Sequence, residues 1–165
     1  MKRPDFILIL AVLLLISVAG CERRVHLKVG EILPAFTLPD LKGDKVVVPD
    51  DFRGKVVVIR FWVDWCASCA REMPLIDDIY KKYKDRGLII LAVNVGQPRD
   101  VAAAFVSRLK ISYPALLDTE SVISHRYYVT AVPTTYILDR SGVIRNKILG
   151  ETGREAFEKI ILELL

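Results

Sequence analysis

The chain has 165 residues, of which 52% are hydrophobic and 27% are charged, and its formal net charge is +4. About 145 residues follow position 20, enough for one domain with a single core, so we expect no second domain. The small positive excess is dispersed and forms no contiguous basic patch with interleaved aromatic residues. Composition therefore gives no support to nucleic-acid binding.

The N-terminus has the pattern of an export signal. Lys2 and Arg3 supply positive charge before a 14-residue apolar run over residues 6–19. A membrane-spanning helix needs about 20 residues, so residues 1–20 are interpreted as a signal peptide. Two small residues before Cys21 resemble a bacterial lipoprotein cleavage box, which would make Cys21 the acylated first residue of the mature chain. The alternative is an uncleaved anchor with an unmodified Cys21, and both alternatives export the domain.

A short tether and a hairpin are expected next. Residues 21–28 are charged and lack a clear period, which is typical of a spacer between membrane and domain. Residues 35–38 and 45–48 flank a polar, glycine-containing stretch at 40–44, which predicts a β-hairpin. The folded domain is predicted to span residues 29–165.

Two cysteines, Cys66 and Cys69, stand where a strand pattern changes into a helical one. Residues 56–62 form a β-branched and aromatic run, which predicts a largely buried strand. Apolar residues then recur at helical spacing from Met73 to Tyr83. The cysteines therefore lie at or near a helix N-terminus, where the helix dipole favours a thiolate, and Cys66 is the expected nucleophile.

A Cys-x-x-Cys pair can also be half of a zinc site or a permanent structural disulfide. Half of a zinc site would need two more ligands, and the chain has three cysteines and two histidines in all, with His26 and His125 isolated. We therefore expect no metal. An exchanging dithiol is favoured, and a permanent structural disulfide remains an alternative.

Strands and helices alternate through the rest of the chain. The first helix is expected to run to about Arg86 and to stop at Gly87. Further elements are expected as strand 88–95, helix 99–109, strand 113–117, a short helix within 119–128, and a hairpin of strands 134–138 and 143–149. The last helix follows Thr152-Gly153-Arg154-Glu155, which has the pattern of a capping box. This order predicts an α/β sheet with helices on both faces.

These residues resemble a known family. The strand, the Trp-Cys-x-x-Cys turn, the helix and the later Val132-Pro133-Thr134 are similar to the thioredoxin superfamily, in particular its TlpA/ResA-like membrane-tethered thiol-disulfide oxidoreductases. The similarity covers roughly residues 29–165. It implies a thioredoxin-like fold, here with an N-terminal β-hairpin extension and a central αβ insertion at about 99–117.

The chemistry of the pair can be assigned by role. Cys66, expected to be exposed, would attack a partner disulfide as a thiolate, and Cys69 would resolve the mixed disulfide. Glu72 lies three residues beyond Cys69, on roughly the same helix face. It could raise the thiol pKa values and carry a proton to or from Cys69, a functional position in ResA-like proteins. The alternative is a solvated acid in the first helical turn. Arg60 stands where thioredoxins have a buried acid.

The resemblance also assigns a substrate-binding set. It implies a cis peptide at Val132–Pro133 beside the reactive sulfur, with backbone hydrogen bonds from Val132 to a bound chain. From the residues alone, Pro133 could be an ordinary proline at the start of a strand. Trp65 would shield the disulfide, or could be plain packing. The dipeptide Ala67-Ser68 contains no histidine to stabilise the thiolate, so a strongly oxidising potential is not expected.

The expected function is reduction of disulfides in exported proteins, with apocytochrome c as the leading substrate implied by the resemblance. A membrane thiol electron donor would recharge the protein. We expect no cofactor, a monomer, and attachment by a lipid anchor to the extracytoplasmic (periplasmic) face of the cell membrane.

Three rival functions have weaker support in the sequence. A peroxiredoxin-like peroxidase needs Thr or Ser three residues before its reactive cysteine, where this chain has Val63. A Sco-type copper chaperone has three residues between its cysteines, where this chain has two. A non-enzymatic lipoprotein with a bracing disulfide is the third.

Overall fold

The structure is a computed structural model that describes residues 27–165. The predicted signal peptide, Cys21 and most of the tether lie outside the described residues. Among residues 27–165, no helix is both long and apolar enough to cross a membrane.

A five-stranded sheet forms the centre of the domain. Its strands are β3 (Val56–Trp62), β4 (Leu88–Val95), β5 (Ala115–Asp118), β6 (Thr134–Leu138) and β7 (Ile144–Leu149), arranged in the order β5-β4-β3-β6-β7. Strands β3, β4 and β5 are parallel, whereas β6 and β7 are antiparallel to their neighbours. All seven residues of β3 are buried, as expected for a central strand covered on both sides.

Helices and a hairpin cover the two faces of this sheet. Helices α1 (Ala67–Tyr83), α2 (Arg99–Arg108) and α4 (Arg154–Leu164) pack on one side together with both cysteines, and we call this side the cysteine face. The other side, the hairpin face, is covered by α3 (Val122–Arg126) and by the hairpin of β1 (Phe36–Pro39) and β2 (Lys45–Val48). The predicted α/β architecture, with its N-terminal hairpin and the αβ unit at 99–118, is confirmed.

The hairpin turn is organised by one carboxylate. Asp40 Oδ1 accepts hydrogen bonds from the backbone N–H groups of Lys42, Gly43 and Asp44 at 2.7, 2.9 and 3.0 Å. Gly43 has a φ of 99°, a conformation that favours glycine. The turn residues therefore explain why the chain reverses at this point.

The N-terminus of α4 differs from the expected capping box. Gly153, with φ 75° and ψ 151°, is the residue before the helix, and no side chain caps it. The backbone N–H groups of Thr152 and Gly153 instead donate to Glu72 Oε1 on α1, at 2.8 and 2.9 Å. The capping-box prediction is wrong because the Thr152 amide, which the Glu155 side chain was expected to serve, donates to a carboxylate of another helix.

Candidate functional site

The two cysteines lie at the carboxyl end of the central strand, where β3 passes into α1. Cys66 is the residue immediately before α1, and Cys69 lies in its first turn. They form a disulfide with a Cα–Cα distance of 5.2 Å. The change from strand to helix that the sequence indicated is therefore what brings the two sulfur atoms together.

The surroundings of Cys66 favour a thiolate after reduction. The Cys69 backbone N–H donates to Cys66 Sγ at 3.1 Å. Ser68 Oγ lies 3.4 Å from the same sulfur, and because a disulfide sulfur carries no proton, the hydroxyl is the donor. Both donors add to the positive end of the α1 dipole, and all three lower the free energy of a negative sulfur.

The nucleophilic sulfur is less accessible than expected. Cys66 is 6% exposed and Cys69 is fully buried, so the expectation that Cys66 is exposed is wrong. The side chain of Cys66 packs into the core of the cysteine face. By contrast, Trp65 is 76% exposed, which rules out plain packing as its role.

Val132 and Pro133 lie at the same end of the sheet. The Val132–Pro133 peptide bond is cis, as the resemblance implied. Thr134 pairs with Phe61 across β6 and β3, so Pro133 extends this register beside the last residue of β3. Val132 is half-buried and packs against the core that contains both cysteines. The structure thus brings Val132, Pro133, Cys66 and Cys69 into one region.

Glu72 has a position that its place in the sequence did not reveal. It is 7% exposed, so the alternative of a solvated first-turn acid is wrong. Burial alone would raise the pKa of its carboxyl. The Gly153 and Thr152 amides and the Arg60 guanidinium outweigh that effect and lower the pKa from its ordinary value. A carboxylate held ionised is a poor proton donor near neutral pH, so the proton-carrying role stays a prediction and the arrangement favours an electrostatic one.

Arg60 is the buried partner of Glu72. Its Nη2 lies 2.5 Å from Glu72 Oε2, and its Nη1 donates to Thr135 Oγ1 on β6 at 3.0 Å. The side chain of Arg60 is fully buried. The sequence marked Arg60 only as a departure from a pattern and carried no signal for its contact with Thr135.

A second polar group fixes the segment before the cysteines. Gln97 Oε1 accepts from the Asp64 backbone N–H at 3.0 Å and from Asn94 Nδ2 at 2.8 Å, while Gln97 Nε2 donates to Asp64 Oδ1 at 2.6 Å. These bonds tie the loop after β4 to the turn that precedes Cys66. Gln97 was not predicted from the sequence, although its position directly after Gly96, at the carboxyl end of a buried parallel strand, is typical of residues that line a site.

No metal site accompanies these groups in the part of the chain that is described. Within residues 27–165, no three His, Cys, Asp or Glu side chains are grouped so that they could hold a metal ion.

Comparison with known proteins agrees with the geometry. The profile of the AhpC/TSA family matches residues 29–147. The thiol-disulfide oxidoreductase ResA of Geobacillus kaustophilus is 33% identical over 168 residues, which cover 96% of each chain. ResA of Bacillus subtilis is 32% identical over 121 residues, covering 73% of this chain and 67% of its own.

Solved structures show the same fold. The thioredoxin domain of a thiol-disulfide oxidoreductase from Bacteroides vulgatus superimposes with a TM-score of 0.73 at 27% identity, covering 84% of this chain and 99% of its own. A Chlorobium tepidum structure described as a thiol:disulfide interchange protein DsbE gives a TM-score of 0.78 at 29% identity, covering 84% and 98%. The predicted thioredoxin-like fold is confirmed.

Proposed function

Because the chain belongs to the AhpC/TSA family and is a thiol-disulfide oxidoreductase of the ResA/DsbE type, we propose that it reduces disulfides of exported proteins through Cys66 and Cys69. One observation carries the proposal. Cys66 stands at the N-terminus of α1, bonded to Cys69 and within reach of two hydrogen-bond donors.

The reaction follows from this geometry. In the reduced protein the Cys66 thiolate attacks one sulfur of the substrate disulfide, whose S–S bond breaks, and the other substrate sulfur leaves as a thiolate that takes a proton from water. Cys69 then loses its proton and attacks Cys66 Sγ. The Cys66–Cys69 disulfide forms and the second substrate thiol is released. Two electrons have passed to the substrate. A dithiol donor in the membrane then reduces the Cys66–Cys69 disulfide by the reverse exchange, which restores the two thiols.

The direction is proposed from the residues around the thiolate. The donors to Cys66 Sγ are a backbone amide and a hydroxyl, and neither carries a charge. They stabilise the thiolate less than a histidinium would, so the reduced form is not strongly favoured and the protein acts as a reductant. A measured potential near about −120 mV, which is typical of a strong oxidant, would contradict this direction.

The substrate and the cellular location are proposed from the resemblance and from the N-terminal sequence. The proposed substrate is apocytochrome c, whose haem-attachment cysteines must be reduced. The proposed location is the extracytoplasmic side of the membrane, with acylated Cys21 as the anchor. Val132 would offer its backbone to the substrate chain beside Pro133, and the exposed Trp65 indole would contact the same chain.

Trapping the mixed disulfide tests this proposal. The Cys69→Ser variant, expressed in native membranes, should accumulate disulfide-linked exported proteins through Cys66, and mass spectrometry should identify apocytochrome c among them. The double variant Cys66→Ser/Cys69→Ser is the matched control and should capture none. Absence of adducts in Cys69→Ser, with Cys66 unreactive towards alkylating reagents after mild reduction, would leave only a bracing disulfide.

A peroxide assay distinguishes the proposed disulfide reductase from a peroxiredoxin-like peroxidase. The reduced wild-type protein should consume hydrogen peroxide no faster than the double cysteine variant. Rapid turnover of peroxide without protein adducts would instead favour the peroxiredoxin-like alternative.

A further inference from the structure

Arg60 lies on the side of the sheet that α1 covers, in contact with Glu72 of that helix. Arg60 points to the cysteine face, as do Val58 and Trp62 at alternate positions of β3, and both of these pack in the core that contains Cys66 and Cys69. Its partner Glu72 is one helical turn from Cys69. Residues three apart on a helix are neighbours, with Cβ atoms about 5–6 Å apart. The ion pair is therefore adjacent to the redox centre.

The Arg60–Glu72 pair joins four parts of the fold. Arg60 belongs to β3, Glu72 to α1 and Thr135 to β6, and the Thr152 and Gly153 amides precede α4. Arg60 Nε and Thr152 Oγ1 are nevertheless buried without a hydrogen-bond partner among the described residues. A buried network that leaves such groups unsatisfied is a poor source of stability, since apolar residues of similar size would stabilise the fold as well or better. Its position beside the cysteines suggests a different role.

The remaining titratable groups around the pair do not replace the charge of Arg60. Tyr113 is buried near it and donates its hydroxyl to the Met73 carbonyl, and burial keeps the pKa of this phenol above its ordinary value. The other nearby charged side chains form ion pairs with one another, namely Asp77 with Lys81, Arg71 with Glu151, and Arg154 with Asp78. Among these groups, the cation that contacts the Glu72 carboxylate is Arg60, which reaches it from β3.

We propose that Arg60 is a positioning residue of the redox centre, which neutralises Glu72 one helical turn from Cys69 and so keeps the reduced cysteines from facing an uncompensated carboxylate. This inference rests on the proposed function. An ionised Glu72 alone would raise the free energy of a thiolate by like-charge repulsion. The Arg60 guanidinium cancels that field while the two amides before α4 hold the carboxylate in place. Arg60 acts through Glu72 and does not touch the substrate.

Two single substitutions should shift the redox equilibrium in opposite directions. Arg60→Met removes the cation, so the equilibrium with glutathione should move about fivefold towards the Cys66–Cys69 disulfide, which is about 20 mV more reducing. Glu72→Gln removes the anion and should move the equilibrium about fivefold towards the dithiol. The double variant should lie within about twofold of the wild type, because the two charges are removed together.

The pH dependence of Cys66 alkylation gives a second readout. The pKa of the Cys66 thiol should be raised in Arg60→Met and lowered in Glu72→Gln, each by about half a unit or more. Arg60→Lys keeps the positive charge and should stay near the wild type, even if its melting temperature falls. Lys81→Met breaks the other buried-acid pair of α1, that of Asp77, and should leave the equilibrium unchanged.

The outcomes separate an electrostatic role of Arg60 from a structural one. Equal redox equilibria and thiol pKa values in all variants, with changes in stability alone, would overturn the proposal and leave the pair a structural one. A large shift in Arg60→Lys, or shifts of the same sign in both single variants, would also overturn it. If Arg60→Met does not fold, Glu72→Gln and Arg60→Lys decide the matter. A wild-type protein that does not equilibrate with glutathione would contradict the proposed function, whereas equilibration without differences among variants contradicts only the role of Arg60.

Discussion

The two faces of the sheet are built from alternate residues of the same strands, yet their interiors differ in kind. β3 sends Val57, Ile59 and Phe61 to the hairpin face, all of them apolar. It sends Arg60 to the cysteine face, where β6 adds Thr135. The contrast lies within one strand, so it reflects the choice of residues at alternate positions and not a difference in topology.

Aromatic packing closes the hairpin face. Phe61 meets Tyr136 edge to face at 6.3 Å, and Phe36 meets Tyr127 in the same way at 5.5 Å. The buried hydroxyls find partners, since Tyr136 donates to the Tyr127 carbonyl at 3.2 Å and Tyr127 donates to the Pro34 carbonyl. The two tyrosine hydroxyls are paired, whereas Arg60 Nε on the cysteine face is buried without a hydrogen-bond partner among residues 27–165. Both faces therefore bury an apolar core, and the cysteine face adds an ion pair close to the cysteines.

Phe61→Ala, which disrupts packing on the hairpin face, should lower stability more than any other substitution proposed here. Removal of a fully buried phenyl ring is expected to lower the free energy of unfolding by about 3–5 kcal/mol, because contacts are lost and a cavity remains. The redox equilibrium with glutathione should change by less than about twofold, since no charge is altered. Urea unfolding and redox titration of the same preparation measure the two quantities.

Phe61→Leu provides the control for this substitution. It fills more of the space and should cost less stability, again with an unchanged redox equilibrium. A shift in the redox equilibrium that grows with the loss of stability across the two variants would show that the two faces are not independent.

Asp139, like Glu72, has a carboxyl whose pKa is lowered, but it lies far from the cysteines. Burial raises the pKa of Asp139 but is outweighed by hydrogen bonds from Ser141, Arg145 and Val143, which lower it from 3.8 to about 2. The folded pKa is below the unfolded one, so ionised Asp139 stabilises the fold above about pH 4, and this contribution is lost as the pH falls towards about 2. Asp139→Asn should therefore be less stable than the wild type at pH 7, with a difference that shrinks between these pH values.

Redox titration distinguishes Asp139 from Glu72. Asp139 lies in the turn between β6 and β7, away from the cysteines, so Asp139→Asn should leave the redox equilibrium unchanged. Unfolding free energies between pH 2 and 7 test the expected loss of stability. A stability difference that stays constant over this range would show that the ionised carboxylate is not the cause.

Local patterns predicted much of this molecule. The change from period 2 to helical spacing placed Cys66 and Cys69 at the start of a helix, because periodicity reports which side of an element is buried. The hairpin around residues 40–44 followed from turn residues that act within a few positions. The cis bond at Val132–Pro133 came from the family resemblance, since residue patterns alone favour an ordinary trans proline.

Partners distant in the sequence could not be predicted in this way. The capping box at Thr152 was a sound local prediction, but Glu72 from another helix accepts hydrogen bonds from the Thr152 and Gly153 amides instead. Burial of Cys66 was missed because exposure depends on how neighbouring elements pack. The contact of Arg60 with Thr135 joins strands that are 75 residues apart in the chain.

The smallest expected effect is that of Ser68 on the pKa of the Cys66 thiol. It compares a neutral hydrogen-bond donor with the charged groups near the cysteines. Its hydroxyl lies 3.4 Å from Cys66 Sγ, a long and weak hydrogen bond. Ser68→Ala should therefore raise the pKa of the Cys66 thiol by less than about half a unit, a smaller shift than removal of a full charge can produce. Alkylation rates of the reduced protein between pH 5 and 10 measure this pKa, and Ser68→Thr, which retains the hydroxyl, should match the wild type. Equal pKa values in Ser68→Ala and the wild type would mean that the Cys69 amide and the α1 dipole alone stabilise the thiolate.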